Sequence, residues 1–364
     1  MKALTVGGAM IDTIAVIANE RVERMTMRNA DTSFLLLEEG RKSEAEDIST
    51  HCGGGAVNSA VALTRIGHDV ATLIKLGRDA RAETILSRLS EEGVSTRFAM
   101  RDARQPTGAS VLVSAHDRNA AIFTFRGANT LLEPKDLKPD AFAADLVYVS
   151  SLSNESADCF QQIVQKAKGA GALVATNPGI RQLSVRQGPF RDVIGQIDIL
   201  AVNRHEAGML VPWLVLHTGE GGRGFEKAPG EIMPDLARRG LVAGGVELSL
   251  AQFFAGLHKL GPRWIVVTDG RDGAYVSAPT GVLHCPAPEV PVVGTAGAGD
   301  AFNATFAAAI AEAASAEDAA LAAAANAAAV VGHIDTQTGL LRRKDLENRT
   351  IALRNELTIR RWTI

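Results

Sequence analysis

The stretch VVGTAGAGDAFNATF, residues 292–306, sets an acid directly after a glycine-rich turn and directly before an alanine-rich run. A glycine-rich turn that opens a helix aims free backbone N–H groups at one point, and the helix dipole adds partial positive charge there. That makes an anion site, most often for phosphate. Two familiar forms do not fit. The Walker form needs G-x-x-x-x-G-K-[ST], and no Lys-Ser or Lys-Thr follows. The dinucleotide form needs G-x-G-x-x-G, and Phe302 stands where Gly297 and Gly299 would require a third glycine. What remains is an anion hole over Gly297, Ala298 and Gly299 with Asp300 at its edge. Asp300 has two readings. It caps the helix, or it accepts a hydroxyl proton beside donors for phosphate oxygens, as phosphoryl transfer to an alcohol requires.

Such a turn needs a strand to deliver it and a helix to receive it. Buried strand patterns fall at 3–8, 70–77, 144–151, 172–178, 197–203 and 263–270, and several end in Gly, Asn, Ser or Asp. Helical patterns lie between them, such as NSAVALTRIG and LAQFFAGLHKLG. This alternation predicts an α/β fold with a mostly parallel sheet flanked by helices and with ligands at the carboxyl ends of the strands. Residues 13–50 and 101–127 break the rhythm. The segment 108–127 reads as a hairpin around HDRN, and with 13–50 it forms either a small β lid or two separate surface hairpins. Residues 207–245 carry nine glycines in 39 positions and read as a mobile loop or insertion.

Composition excludes some functions. The chain has 364 residues and a net charge of -3, which gives no bulk attraction to nucleic acid or anionic membrane. Cys52, Cys159 and Cys285 are odd in number and far apart, so neither a disulfide framework nor a zinc site emerges, and a reducing compartment is expected. Gly7, Gly8 and Asp12 interrupt the apolar N-terminus, which reads as strand, turn and strand rather than a signal peptide. No run of about twenty strongly apolar residues occurs. The expectation is a cytoplasmic protein of one domain, 1–364.

The segment Gly294-Thr295-Ala296-Gly297-Ala298-Gly299-Asp300 resembles the DTTGAGD signature of the ribokinase-like (PfkB) carbohydrate kinases. GGGAVNSAVALTRIG, residues 53–67, is similar to that family's GG-x-x-x-N turn before a helix, and NRHE, residues 203–206, to its N-x-x-E motif. The matches run in family order from residue 3 to about 340. The resemblance implies a three-layer ribokinase-like sandwich with a β lid, and an ATP- and magnesium-dependent kinase. It makes Asp300 the catalytic base and Gly297, Ala298 and Gly299 the anion hole. It places Asp12, Gly54, Gly55 and Asn58 on substrate hydroxyls. Glu206, with Asn203, would hold the magnesium water shell. Thr268, Gly270 and Gly273 would flank the nucleotide, Asn326 would border adenine, and RGAN, residues 126–129, would be where the lid rejoins the body. Gly294 and Ala296 depart from the signature, and the loss of the first Asp puts a potassium site in question.

The resemblance leaves the acceptor open. Ribokinase has an Asn two residues before the Asp that matches Asp12, and here that residue is Met10. The strand end YVSSLSNES lacks the Glu with which ribokinase grips its sugar, although Glu155 lies nearby. An apolar Met10 suits an acceptor with a flat apolar part, as in adenosine-kinase-like relatives, and is equally ordinary packing. A sugar is the first reading, a nucleoside the second, and an inactive nucleotide- or sugar-binding regulator the third. The resemblance also implies a homodimer through the lid.

Overall fold

The computed structural model describes residues 1–18, 23–26, 33–36, 42, 44–115, 120–219, 221–226, 230 and 232–364. Its centre is a ten-stranded sheet. Lys2–Val6 lies inside it, parallel to Asp69–Leu76 on one side and to Leu146–Val149 on the other. Ser95–Arg101 extends the first side. Leu173–Thr176, Ile199–Asn203 and Trp264–Thr268 extend the second, all parallel. Ala274–Ala278, Gly281–Cys285 and Arg360–Trp362 then finish the sheet in antiparallel pairing. All six strands expected from the sequence are present in this sheet.

Successive side chains of these strands enter opposite layers. Ala3, Ile74 and Tyr148 pack with helices Gly55–Arg65, Ala298–Ala311 and Ala316–Val331. Leu4, Val6, Val147 and Val149 pack with Phe160–Gly169, Arg204–Thr218 and Leu250–Leu260. Both faces are covered, which is why the strands read as unbroken apolar runs. Each large side chain buried this way contributes about 1.5–3 kcal/mol.

The chain leaves Lys2–Val6 to one side of the sheet and later returns on the other. Strand order therefore reverses between Lys2–Val6 and Leu146–Val149. At such a switch point the carboxyl-end loops diverge and open a crevice.

The four-stranded second sheet has the order Ala45–Gly53, Met10–Ile17, Gly108–Ala115, Ala120–Phe125. It begins at Met10, just before the expected lid boundary at 13, while Arg101 still belongs to the main sheet. Gly108–Ala115 and Ala120–Phe125 form the expected hairpin, whose turn at 116–119 lies outside the described residues. Glu23–Thr26 and Ser33–Leu36 pair separately as a two-stranded sheet.

The loop expected over 207–245 is corrected at both ends. Residues 207–218 belong to the helix Arg204–Thr218, which buries Leu210, Val211 and Leu214. Eight of the nine glycines stand at or after 219, and even there Asp235–Arg239 forms a short helix that buries Leu236 and Ala237. Near the far end, Leu241–Ala243 and Val246–Leu248 form a short hairpin. Cys52, Cys159 and Cys285 are free thiols. Among the described residues no helix is long and apolar enough to cross a membrane.

Candidate active site

Helix Ala298–Ala311 begins after Gly297, whose φ of 80° is left-handed. A Cβ at Gly297 would sit 2.6 Å from Thr336 Cβ, so conformation and space both demand glycine. Gly297 itself is the helix N-cap, and no side chain caps this helix. Asp300 stands in the first turn without capping it, which removes the plain reading of that acid.

Asn58 holds Asp300 instead. It lies in the first turns of helix Gly55–Arg65, and its Nδ2 donates to Asp300 Oδ2 at 2.8 Å. Its Oδ1 accepts from Thr336 Oγ1 at 2.8 Å and from Gln337 Nε2 at 3.2 Å. Asn58 was expected on substrate hydroxyls; buried at 4 % exposure, it is bonded to the acid and the neighbouring loop. Gly55, one turn earlier, has no room for a side chain. A Cβ there would lie 2.7 Å from Ser150 Cβ and 3.3 Å from Asp300 Oδ1. Ser150 follows the strand Leu146–Val149, so the acid sits at the switch point.

The loop 335–338 was missed by the sequence reading. Asp335 Oδ1 accepts from the backbone N–H groups of Gln337 and Thr338, both at 2.8 Å. This Asp-centred turn presents Thr336 and Gln337 to Asn58. The string DTQTG carries such turn chemistry, but nothing in it points to Asn58.

Asp12 lies on the lid, opposite His51 on one neighbouring strand and Ser110 on the other. Ser110 Oγ donates to Asp12 Oδ1. Met10, partly buried, shares the Asp12 face by strand alternation. Glu155 pairs with Arg186 at 3.1 Å.

Three acids of the site are held above the usual carboxylate range. Burial is the main cause for Asp300, and the charge of Asp12 adds to it while the Asn58 bond opposes it. Burial also raises Asp12, against the Ser110 bond and the charge of His51. Burial raises Glu206, against bonds from the Asn203 backbone and the Asn177 side chain, and Asp300 adds a little. A carboxylate made more basic in a cleft is suited to taking a proton.

A cleft of about 620 Å³ opens beside the acid. Asn203, Thr268, Gly270 and Gly273 line it at the strand ends, Ala298 and Gly299 border it, and Ala324, Ala327 and Ala328 face it from the helix Ala316–Val331. Asn326 does not face it. That side chain is fully buried, donates to Thr305 Oγ1 at 2.8 Å and accepts from Leu341 N at 2.9 Å. The adenine-bordering expectation for Asn326 is therefore corrected: its direction on the helix is toward the core, and the neighbouring alanines supply the wall.

The NRHE segment forms a reciprocal capping box. Asn203 Oδ1 accepts from Glu206 N, and Glu206 Oε2 accepts from Asn203 N, both at 2.9 Å. Glu206 is 9 % exposed, so it is not a solvated surface acid. Its bonds, including 3.3 Å to Asn177 Nδ2, fall on Oε2. Among the described residues no group of three or more His, Cys, Asp or Glu gathers to cage a metal. One buried acid beside a cleft fits magnesium held through its waters and through nucleotide phosphates. A monovalent cation held by a carboxylate at 294 does not fit. Gly294 brings no carboxylate, and a Cβ there would lie 2.8 Å from the His333 carbonyl oxygen.

With this geometry in place, the family model described as pfkB family carbohydrate kinase matches residues 22–213 and 244–343. The protein belongs to that family, and it is an ATP-dependent phosphotransferase of the ribokinase-like fold. The deoxyribokinase of Salmonella typhi is 28% identical over 300 residues, covering 81% of this chain and 84% of that one. The structure of Arabidopsis thaliana ribokinase complexed with ribose and ATP superposes with a TM-score of 0.71 at 24% identity, covering 96% of this chain and 98% of that one. The Burkholderia thailandensis nucleoside kinase in complex with inosine superposes with a TM-score of 0.70 at 18% identity, covering 96% and 98%. Residues 214–243, which hold most of the glycine-rich stretch, fall between the two matched blocks.

Proposed function

We propose that this protein is a sugar kinase that transfers the γ-phosphate of ATP to a primary hydroxyl, with Asp300 as the base. One observation carries this reading. The Asp300 carboxyl stands in the first turn of a glycine-led helix, off the cap, fixed by Asn58 and raised in pKa. An acid held there beside donors for a phosphate, and raised further by the charge of the lid residue Asp12, supports a base that serves an acceptor under the lid.

Asp12 accepts from acceptor hydroxyls and orients the one to be phosphorylated. Asp300 takes that hydroxyl's proton as the oxygen attacks the phosphorus in line. The backbone N–H groups at 298 and 299 face the charge that spreads over the transferring group. Magnesium, when bound, supplies charge neutralisation on the phosphates, and Glu206 would hold its water shell. The lid sheet excludes water and limits hydrolysis of ATP. A nucleoside is the second reading, favoured by Met10 on the Asp12 face. The outer face of the lid pairs two copies into a homodimer.

The test is ADP release from ATP and magnesium across free sugars and nucleosides, with Asp300→Asn as control. Turnover of a sugar that falls about 10²–10⁴-fold in the variant is the expected result. Unchanged turnover in Asp300→Asn removes the base assignment. A nucleoside as the best acceptor moves the assignment to the second reading.

A further inference from the structure

Two arginines reach adjacent residues of one loop near the root of the lid, and among the described residues no carboxylate pairs with either. Arg126 follows the lid strand Ala120–Phe125, whose Thr124 lies opposite Ser110, which in turn lies opposite Asp12. Arg126 directly follows that strand, at the root of the lid, and leads into the turn Gly127–Thr130. Its Nη1 lies 3.4 Å from Ser153 Oγ. Arg181 is the second residue of the short helix Ile180–Leu183 and donates to Asn154 Oδ1 at 3.0 Å. Ser153 and Asn154 are adjacent residues of the loop after Leu146–Val149, the strand whose end at Ser150 borders Gly55 and Asp300.

The acids of this loop are already engaged. Glu155 and Asp158 both pair with Arg186, at 3.1 and 2.5 Å. Arginines that stand near acids elsewhere pair with them, as Arg65 does with Glu92 and Arg104 with Asp102 and Glu133. Among the described residues, Arg126 and Arg181 have only neutral hydrogen-bond partners. Burial lowers the pKa of Arg126, and the charge of Arg181 lowers it further, so the two cations feel each other. A half-buried guanidinium beside a like charge is unfavourable unless an anion answers it. Guanidinium forks match carboxylate and phosphate oxygens well. Neither arginine lines the cleft at Thr268, Gly270 and Gly273, so that anion is not a phosphate of ATP.

We propose that the acceptor is a monosaccharide carrying a fixed negative group, a carboxylate or a phosphate, held between Arg126 and Arg181 while Asp12 takes its hydroxyls. The proposal rests on the kinase reading and narrows its substrate class from neutral sugars to charged ones.

The experiment compares ADP release for neutral pentoses and hexoses with that for aldonic and ketoaldonic acids and for sugar monophosphates. The expected result is a charged acceptor at least about tenfold better in kcat/KM than its neutral counterpart, with the advantage shrinking as salt is added. Preference between the acids and the phosphates identifies the group. In Arg126→Gln and Arg181→Gln the KM for that acceptor rises about tenfold or more, while the KM for ATP stays in place. Arg181 is exposed, so its variant keeps the test independent of folding. A neutral sugar or nucleoside as the best acceptor overturns the proposal, and so does a KM that rises equally for neutral and charged acceptors. Without turnover of any acceptor, thermal stabilisation decides. Stabilisation of the wild type by a sugar acid or sugar phosphate, lost in Arg181→Gln, keeps the anion site and removes the kinase reading. No stabilisation by any of them removes the anion site.

Discussion

Asn58 Nδ2 donates to Asp300 Oδ2 at 2.8 Å while Asn58 Oδ1 accepts from Thr336 and Gln337, so one amide joins the buried acid to the loop 335–338. The bond stabilises the charged carboxylate and opposes the upward push of burial on its pKa. Asn58→Ala removes that opposition. The pKa of Asp300 then rises further, and the acidic limb of the pH–rate profile moves to higher pH. A hydrogen bond to a charged group is worth about 1.5–3 kcal/mol, so kcat/KM at neutral pH falls about 10–100-fold. An unshifted acidic limb in the variant means that Asn58 does not set the basicity of Asp300.

The Asn58–Asp300 pair also marks how far the sequence could be read. The strand runs are apolar over four to eight residues because both faces of the sheet are covered, and a local pattern reveals that. The anion turn is local as well, since Gly297, Gly299 and Asp300 are neighbours in the chain. Asn58 and Asp300 are 242 residues apart, and Thr336 and Gln337 come from a third segment. No spacing rule states that Asn58 would turn to the acid. Asn326 failed in the opposite way. The alanines around it give no strong amphipathic signal, so whether its side chain faced the cleft or the core depended on Thr305 and Leu341. The helix over 207–218 was obscured by counting glycines over a window that began twelve residues before most of them.

Asp300 carries a stability prediction of definite sign. Its folded-state pKa is raised by burial above the unfolded value of about 3.9. The native state therefore binds that proton more tightly than the unfolded chain does. The favourable contribution is complete below the unfolded pKa and is lost as pH rises through the folded one. At neutral pH the buried charge is a cost, and Asp300→Asn removes it while Asn58 can still donate to the new amide oxygen. Thermal melts should show Asp300→Asn more stable than the wild type at pH 7.5, by roughly 2 °C for each kcal/mol recovered. The difference should close toward pH 4. A variant less stable at neutral pH shows that the carboxylate is well compensated.

Asn326 separates a structural amide from a nucleotide contact. Asn326→Ala leaves the buried Thr305 hydroxyl and Leu341 N–H without their partner. An orphaned buried group costs about 1–3 kcal/mol, so the melting temperature drops. The KM for ATP stays near its wild-type value because Ala324, Ala327 and Ala328 form the wall of the cleft. A large rise in the KM for ATP with no loss of stability would restore Asn326 to the nucleotide.

The outer face of the lid argues for the dimer. Val111 lies opposite Phe123, Ala109 opposite Phe125 and Ala15 opposite Ile48, and strand alternation puts all six on the face away from Asp12. Ile48, Val111, Phe123 and Phe125 are 65%, 44%, 60% and 48% exposed. Four large apolar side chains on one sheet face are a costly arrangement in water, and covering each is worth about 1.5–3 kcal/mol. A second copy offers a face of the same composition, and a two-fold contact satisfies both at once. Light scattering should therefore give twice the chain mass of 38.4 kDa. Phe123→Asp forfeits one such burial on each side and sets two like charges near the symmetry axis. Its dimer dissociation constant should rise about 100-fold or more, the equivalent of roughly 2.7 kcal/mol. A wild-type mass of one chain at micromolar concentration would end the dimer proposal. A Phe123→Asp dimer as tight as the wild type would move the interface to another face.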